Sequence, residues 1–156
     1  MKIKLSVELI PKTAWGSNVR DLLSPKEWKA LRDQVCNKAN NVCEICGGFG
    51  PKHLTECHEI FEYDDKNHIQ TLTGMISLCP PCHMVKHIGF AHSQGRYSEA
   101  LFHFMKINDL KKRPAEEYIG EAFELWQERS QHQWITNLSY LINYGIDVNK
   151  LKNRRK

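Results

Sequence analysis

The chain has 156 residues, enough for one domain with its own core and short for two. Hydrophobic residues make up 41% and charged residues 26%, an ordinary globular balance, and the net charge of +4 falls short of the extreme that would by itself announce nucleic acid. No apolar run approaches the roughly 18 residues of a membrane span.

The first residues, MKIKLSVELI, contain neither an apolar signal core nor a small-residue cleavage site, so a cytoplasmic location is expected. Ile3, Leu5, Val7 and Leu9 alternate with polar neighbours, which predicts a half-buried strand over residues 2 to 10. After an irregular TAWGSNVRD link, Ser24-Pro25 reads as a helix start, with serine as N-cap and proline where its missing N–H costs nothing. Trp28, Leu31, Val35 and Cys36 then recur at helical spacing, and Cys36 reads as a small buried hydrophobe.

Residues 43 to 92 form the expected compact centre. CEICGG is a tight turn, Leu54 to Tyr63 and Ile69 to Leu78 read as two short strands joined by DDKNH, and a helix starts near Pro80-Pro81 and runs to Ala91. A further helix follows Gly95, with Tyr97, Ala100, Leu101, Phe104 and Met105 on its apolar side. The last large element spans Pro114 to Tyr144 as a helix, broken, if anywhere, near Ser130 to His132. KLKNRRK at 150 to 156 is a basic tail, either solvated or in contact with phosphates. The expected organisation is a single domain. Residues 1–42 hold a strand and helix, 43–92 a zinc-bound core, 93–149 a helical extension and 150–156 the tail.

Six cysteines would suit a disulfide framework only in a secreted protein. Four of them form Cys43-x2-Cys46 and Cys79-x2-Cys82, two turns that can each offer two thiolates to one metal. A tetrahedral four-sulfur shell suits Zn²⁺ and leaves no open position, so this zinc is expected to be structural. Cys57, His58, His83 and His87 remain. His83 and His87 are four apart on the predicted helix and face one way, while Cys57 and His58 share a hairpin strand and point to opposite faces if that strand is regular.

These residues resemble the HNH endonucleases, also called His-Me finger or ββα-metal nucleases, over roughly residues 43 to 88: C-x2-C, then ECHEI, then SLCPPCHMVKH. The resemblance implies an α+β fold with a treble-clef or ββα-metal core. It also implies metal-dependent hydrolysis of phosphodiester bonds in nucleic acid, DNA in the first instance. Carried over, His58 is the general base, Cys57 occupies the first metal-ligand position, His83 is a second ligand and His87 a further helix histidine. Two positions depart from the family pattern. Cys57 puts a thiolate where the family has oxygen or imidazole, which favours Zn²⁺, Ni²⁺ or Mn²⁺ over Mg²⁺. Gly74 stands where the family usually has the asparagine that orients the base; Asn67, His68 or Gln70 could take over that task.

The alternative is a catalytically silent zinc module that binds nucleic acid or a protein partner. In it Cys57, His83 and His87 close a second structural site with His58 or His53. A protein partner would engage the C-terminal helices, and joint exposure of Trp126 and Trp134 would favour it. His68, His92, His103 and His132 receive no role.

Overall fold

The computed structural model describes residues 2–48 and 55–152. In chain order it contains α1 (Val19–Leu22), α2 (Pro25–Lys38), β1 (Glu56–Asp64), β2 (Ile69–Leu78), α3 (Pro80–Lys86), α4 (Ile88–Ser93), α5 (Tyr97–Asn108), α6 (Lys112–Arg129), β3 (Ile135–Asn137) and α7 (Val148–Lys152). Short 3₁₀ turns occupy Lys12–Ala14 and Ser139–Tyr144. The fold is α+β, as expected. Among the described residues no helix is long and apolar enough to cross a membrane.

The predicted N-terminal strand does not form. Residues 2 to 10 bend at Lys4–Leu5, and Leu5 and Val7 are buried, but the segment joins no sheet. Their backbone is satisfied by a side chain instead: Asn108 Oδ1 accepts from the Lys4 and Leu5 amides at 2.8 and 3.0 Å, while its Nδ2 donates to the Leu5 carbonyl at 2.9 Å. Alternating burial reports a chain lying on a core, and only hydrogen bonding distinguishes that from a strand.

Helix α2 begins where the sequence places it, closed by a capping box between Ser24 and Glu27. β1 and β2 pair antiparallel, with Glu56 opposite Leu78 and a bulge after Ile60, where Thr73 is the extra residue. The expected start of the first strand at Leu54 lies outside the described residues, as do His53 and the tail beyond Lys152. The helix from Pro80 breaks at His87 (φ −105°, ψ 44°) into α3 and α4. The long C-terminal element ends at Arg129; beyond it come β3, which pairs parallel with β2, and a 3₁₀ turn. Ile135 and Ile142 are exposed rather than on a helix face, so the helical period read there was coincidental.

The hairpin separates two cores. One joins Leu5 and Val7 to Val85, Ile88, Leu101, Phe104 and Ile119, and holds Cys43, Cys79 and Cys82 at its edge. The other packs Leu22, Leu31, Val35 and Cys36 with Leu72, Leu138 and Leu141, and contains Cys57. Trp126 and Trp134 are both half-buried and their indole N–H groups donate to the carbonyls of Ile10 and Arg129, so neither belongs to a freely exposed face.

Candidate metal centre and active site

The sulfur ligand atoms of Cys43, Cys46, Cys79 and Cys82 all lie within 4.8 Å of one another. The CEICGG turn is built for this. Gly47 has φ +77°, and the amides of Cys46 and Gly48 point at Cys43 Sγ (3.5 Å) and Cys46 Sγ (3.4 Å). The second pair sits where β2 enters α3, with Cys79 as N-cap and Pro80 at the first helical position. The Cys82 thiol next to Cys43 holds Cys43 down to about 4. Burial and its sulfur neighbours push Cys79 up to about 11, and the Cys43 contact pushes Cys82 upward too. Four such thiols cannot ionise together without a cation, so the donor set fits a thiophilic metal ion.

Sequence reasoning missed one neighbour of this group. His103 on α5 lies with Nε2 3.2 Å from Cys82 Sγ, placed to donate to a thiolate. Its signal in the sequence was slight: it sits one position from Phe104 on a helix whose apolar side was already accounted for.

The second group is His58, His83 and His87, whose ligand atoms also lie within 4.8 Å of one another. Cys57 is not among them. In a regular strand neighbours face opposite ways, and β1 is regular here: His58 faces α3 while Cys57 lies in the opposite core with Cys36. Burial pushes the Cys57 thiol up to about 12, which suits a packed hydrophobe.

His83 and His87 are held by α3, whose start is anchored by Cys79 and Cys82. Their Nε2 atoms lie 3.1 Å apart. His83 Nδ1 is 2.7 Å from Glu56 Oε2, leaving Nε2 with its lone pair towards His87, the carboxylate–histidine arrangement that orients metal ligands. His87 reaches solvent, yet its ring is crowded by the other two imidazoles, and loss of solvent with their like charges lowers its pKa.

His58 is 5% exposed, and its Nε2 lies 2.8 Å from Glu8 Oε2. Glu8 in turn receives Lys86 Nζ at 2.9 Å, and that buried ammonium also reaches Ser6 Oγ at 2.7 Å. Burial works against the Glu8 carboxylate, but the His58 hydrogen bond and the Lys86 charge outweigh it and hold its pKa below the usual range. For His58, desolvation lowers the pKa more than Glu8 raises it. The ring is therefore neutral at neutral pH, with Nε2–H donated to Glu8 and Nδ1 left as an acceptor. Neither Glu8 nor Lys86 was singled out from the sequence. Glu8 falls on the polar side of the N-terminal alternation, as an ordinary solvent-facing acid would, and the lysine between two clustered histidines was the only available signal.

The residues expected to replace the missing asparagine are occupied elsewhere. Asn67 binds Asp64, Gln70 binds Tyr63 and Thr136, and His68 stacks on His132. Gly74 faces Ile60, and a Cβ there would meet Ile60 Cδ1 at 3.4 Å. Beside the histidines opens a cavity of about 350 Å³, with Arg20, Trp28, Glu59 and Tyr63 on its walls. Glu59, pushed up to about 7 by burial, accepts from the Val19 amide and fastens α1 to the hairpin.

A "Probable HNH endonuclease" of Lactococcus phage SK1 is 27% identical over 97 residues, which are 60% of this chain and 96% of the phage protein. This chain resembles the HNH endonucleases. No family model and no solved structure matches it. The four-cysteine group fits an HNH-like, metal-binding module, with the hairpin and α3 forming its ββα unit.

Proposed function

We propose that the chain is an HNH-type endonuclease that hydrolyses phosphodiester bonds in DNA, with His58 as general base and a second metal ion held by His83 and His87. The observation that carries this reading is the Glu8–His58 pair set against the two Nε2 atoms of His83 and His87. Zn²⁺ at the four cysteines is structural, since a closed sulfur shell has no position for substrate. At the histidine pair, imidazole donors suit Zn²⁺, Ni²⁺ or Mn²⁺ better than Mg²⁺, and this holds without Cys57. An ion bound there would supply Lewis-acid stabilisation of charge on the phosphate.

The remaining steps belong to the chain's own residues. His58 Nδ1 takes a proton from a water molecule as its oxygen bonds to phosphorus and the bond to the leaving oxygen breaks. Positive charge then develops on the imidazole, and Glu8 stabilises it through Nε2–H. Lys86 keeps Glu8 ionised and prevents it from rotating away. Arg20, exposed beside the cavity, is available to a phosphate.

The 4.8 Å grouping also favours a second reading, in which His58 is a third metal ligand and the chain is a silent binding module. Nicking of supercoiled plasmid with Mg²⁺, Mn²⁺, Ni²⁺ or Zn²⁺, alongside metal counting for His58→Ala, separates the two. A base leaves nicking lost and the second metal retained. A ligand leaves the second metal lost, and absence of nicking by the unaltered chain removes the nuclease reading.

A further inference from the structure

Next to the histidine cluster, and sharing Glu8, Ile10 and His87 with its cavity, lies an apolar groove of about 590 Å³. Trp15 and Phe90 stand on it 64% and 68% exposed, among the most exposed large apolar side chains described, and Trp126 lines its floor. The two indoles are not loose. Trp15 Nε1 and Trp126 Nε1 both donate to the carbonyl of Ile10 at 2.9 Å, so one backbone oxygen fixes both rings. Lys12 Nζ lies 5.0 Å from the centre of the Trp126 ring and puts a cation at the margin.

We propose that this groove seats an unpaired nucleobase of a nucleic-acid strand that passes the histidine cluster, so that the substrate is single-stranded or locally opened. The inference rests on the nuclease reading for the identity of the strand. A paired base has both faces covered by its neighbours and cannot enter between aromatic walls; an unpaired base can, and every base offers a π-face to them. Indoles fixed in advance lose little freedom on stacking. Continuity matters as much as chemistry: a strand with one phosphate at His83 and His87 has its adjoining bases within reach of a groove that begins at His87. The lysine beside Trp126 suits the phosphate that follows the stacked base.

The test uses the full, metal-loaded chain. A short single-stranded oligodeoxynucleotide carries 2-aminopurine at a central position and phosphorothioate linkages that slow cutting. Quenching of 2-aminopurine is expected, with tighter binding than to a blunt duplex of the same sequence. Trp15→Ala and Phe90→Ala should each weaken single-strand binding about tenfold and abolish the quenching, while Trp15→Phe retains most of both. Both side chains are exposed, so circular dichroism and metal content should not change in these variants. Equal binding to the duplex without quenching overturns the inference, as do unchanged affinities in the two alanine variants or capture of only protein by the groove. Plasmid nicking is read separately. Quenching without nicking keeps the groove and removes the nuclease; nicking indifferent to Trp15 and Phe90 keeps the nuclease and removes the groove.

Discussion

Replacing Glu8 by alanine strips the buried Lys86 of its counter-charge. The Lys86 side chain is 6% exposed and that of Glu8 26%, so the pair is shielded on one side and reachable by water on the other. Removing one partner of a buried ion pair costs about 3–5 kcal/mol. The surviving contact to Ser6 and the partial solvent access place this case near the lower end, about 3 kcal/mol. For a chain of this length that is a fall in Tm of roughly 6–12 °C. The assay is urea or thermal unfolding at fixed free zinc, because bound metal shifts apparent stability by mass action. Glu8→Gln combined with Lys86→Met removes both charges and should recover most of the loss. A Glu8→Ala cost below about 1 kcal/mol would refute the reasoning, since it would mean that Lys86 finds water without its partner. For catalysis, Glu8→Gln should lower nicking about 10- to 100-fold, the usual effect of losing a carboxylate behind a functional histidine.

Four further outcomes follow from the same geometry. Cys57→Ala should leave metal content unchanged by atomic absorption and cost roughly 1 kcal/mol in stability, as for a small buried side chain. Stripping metal with a strong chelator, or Cys43→Ser, should lower the unfolding temperature and remove part of the helical circular dichroism, because the ion ties the CEICGG turn to the start of α3. Glu56→Gln should weaken metal binding at the histidine pair about 10- to 100-fold by titration calorimetry, with the four-cysteine metal unaffected. His103→Phe should raise zinc loss to a chromophoric chelator about 10-fold, through the lost hydrogen bond to Cys82 Sγ.

Where residues interact with near neighbours in sequence, the sequence was legible. The Ser24–Glu27 cap, the span of β2 and each Cys-x-x-Cys turn depend on spacings of a few residues. What stayed hidden depends on distant partners. Residues 2 to 10 have a strand's alternation, but Asn108, more than a hundred positions away, takes the hydrogen bonds a neighbouring strand would have taken. After His132 the apolar residues recur at a spacing that suits a helix, yet pairing of Ile135–Asn137 with β2 overrides it. Cys57 shows the opposite case. The period-two rule already sent it away from His58, and the ligand position implied by the family resemblance kept it in the metal group; the strand's bulge lies at Ile60 and does not turn Cys57 round.

In the proposed nuclease, the Gly74 position explains why the N-terminal segment would matter to the chemistry. A base histidine needs an acceptor on one nitrogen so that the other is free, and Gly74 has no side chain to provide it. A Cβ there would pack against Ile60 Cδ1 at 3.4 Å, an ordinary contact, so what the position lacks is the polar group itself. The acceptor therefore has to come from outside the hairpin, and the segment that reaches His58 Nε2 is the one lying over α3 and α5. That arrangement requires a carboxylate in a largely buried place, hence a cation beside it, hence Lys86 on the same helix as His83 and His87. Three apparent oddities, a missing asparagine, an acid amid apolar residues and a buried lysine, are thus one device. Its consequence is specific: Glu8→Gln combined with Lys86→Met, which leaves Leu5 and Val7 in the core, should sharply lower nicking while the four-cysteine metal stays bound, whereas a purely scaffold role for residues 2 to 8 would leave nicking unchanged.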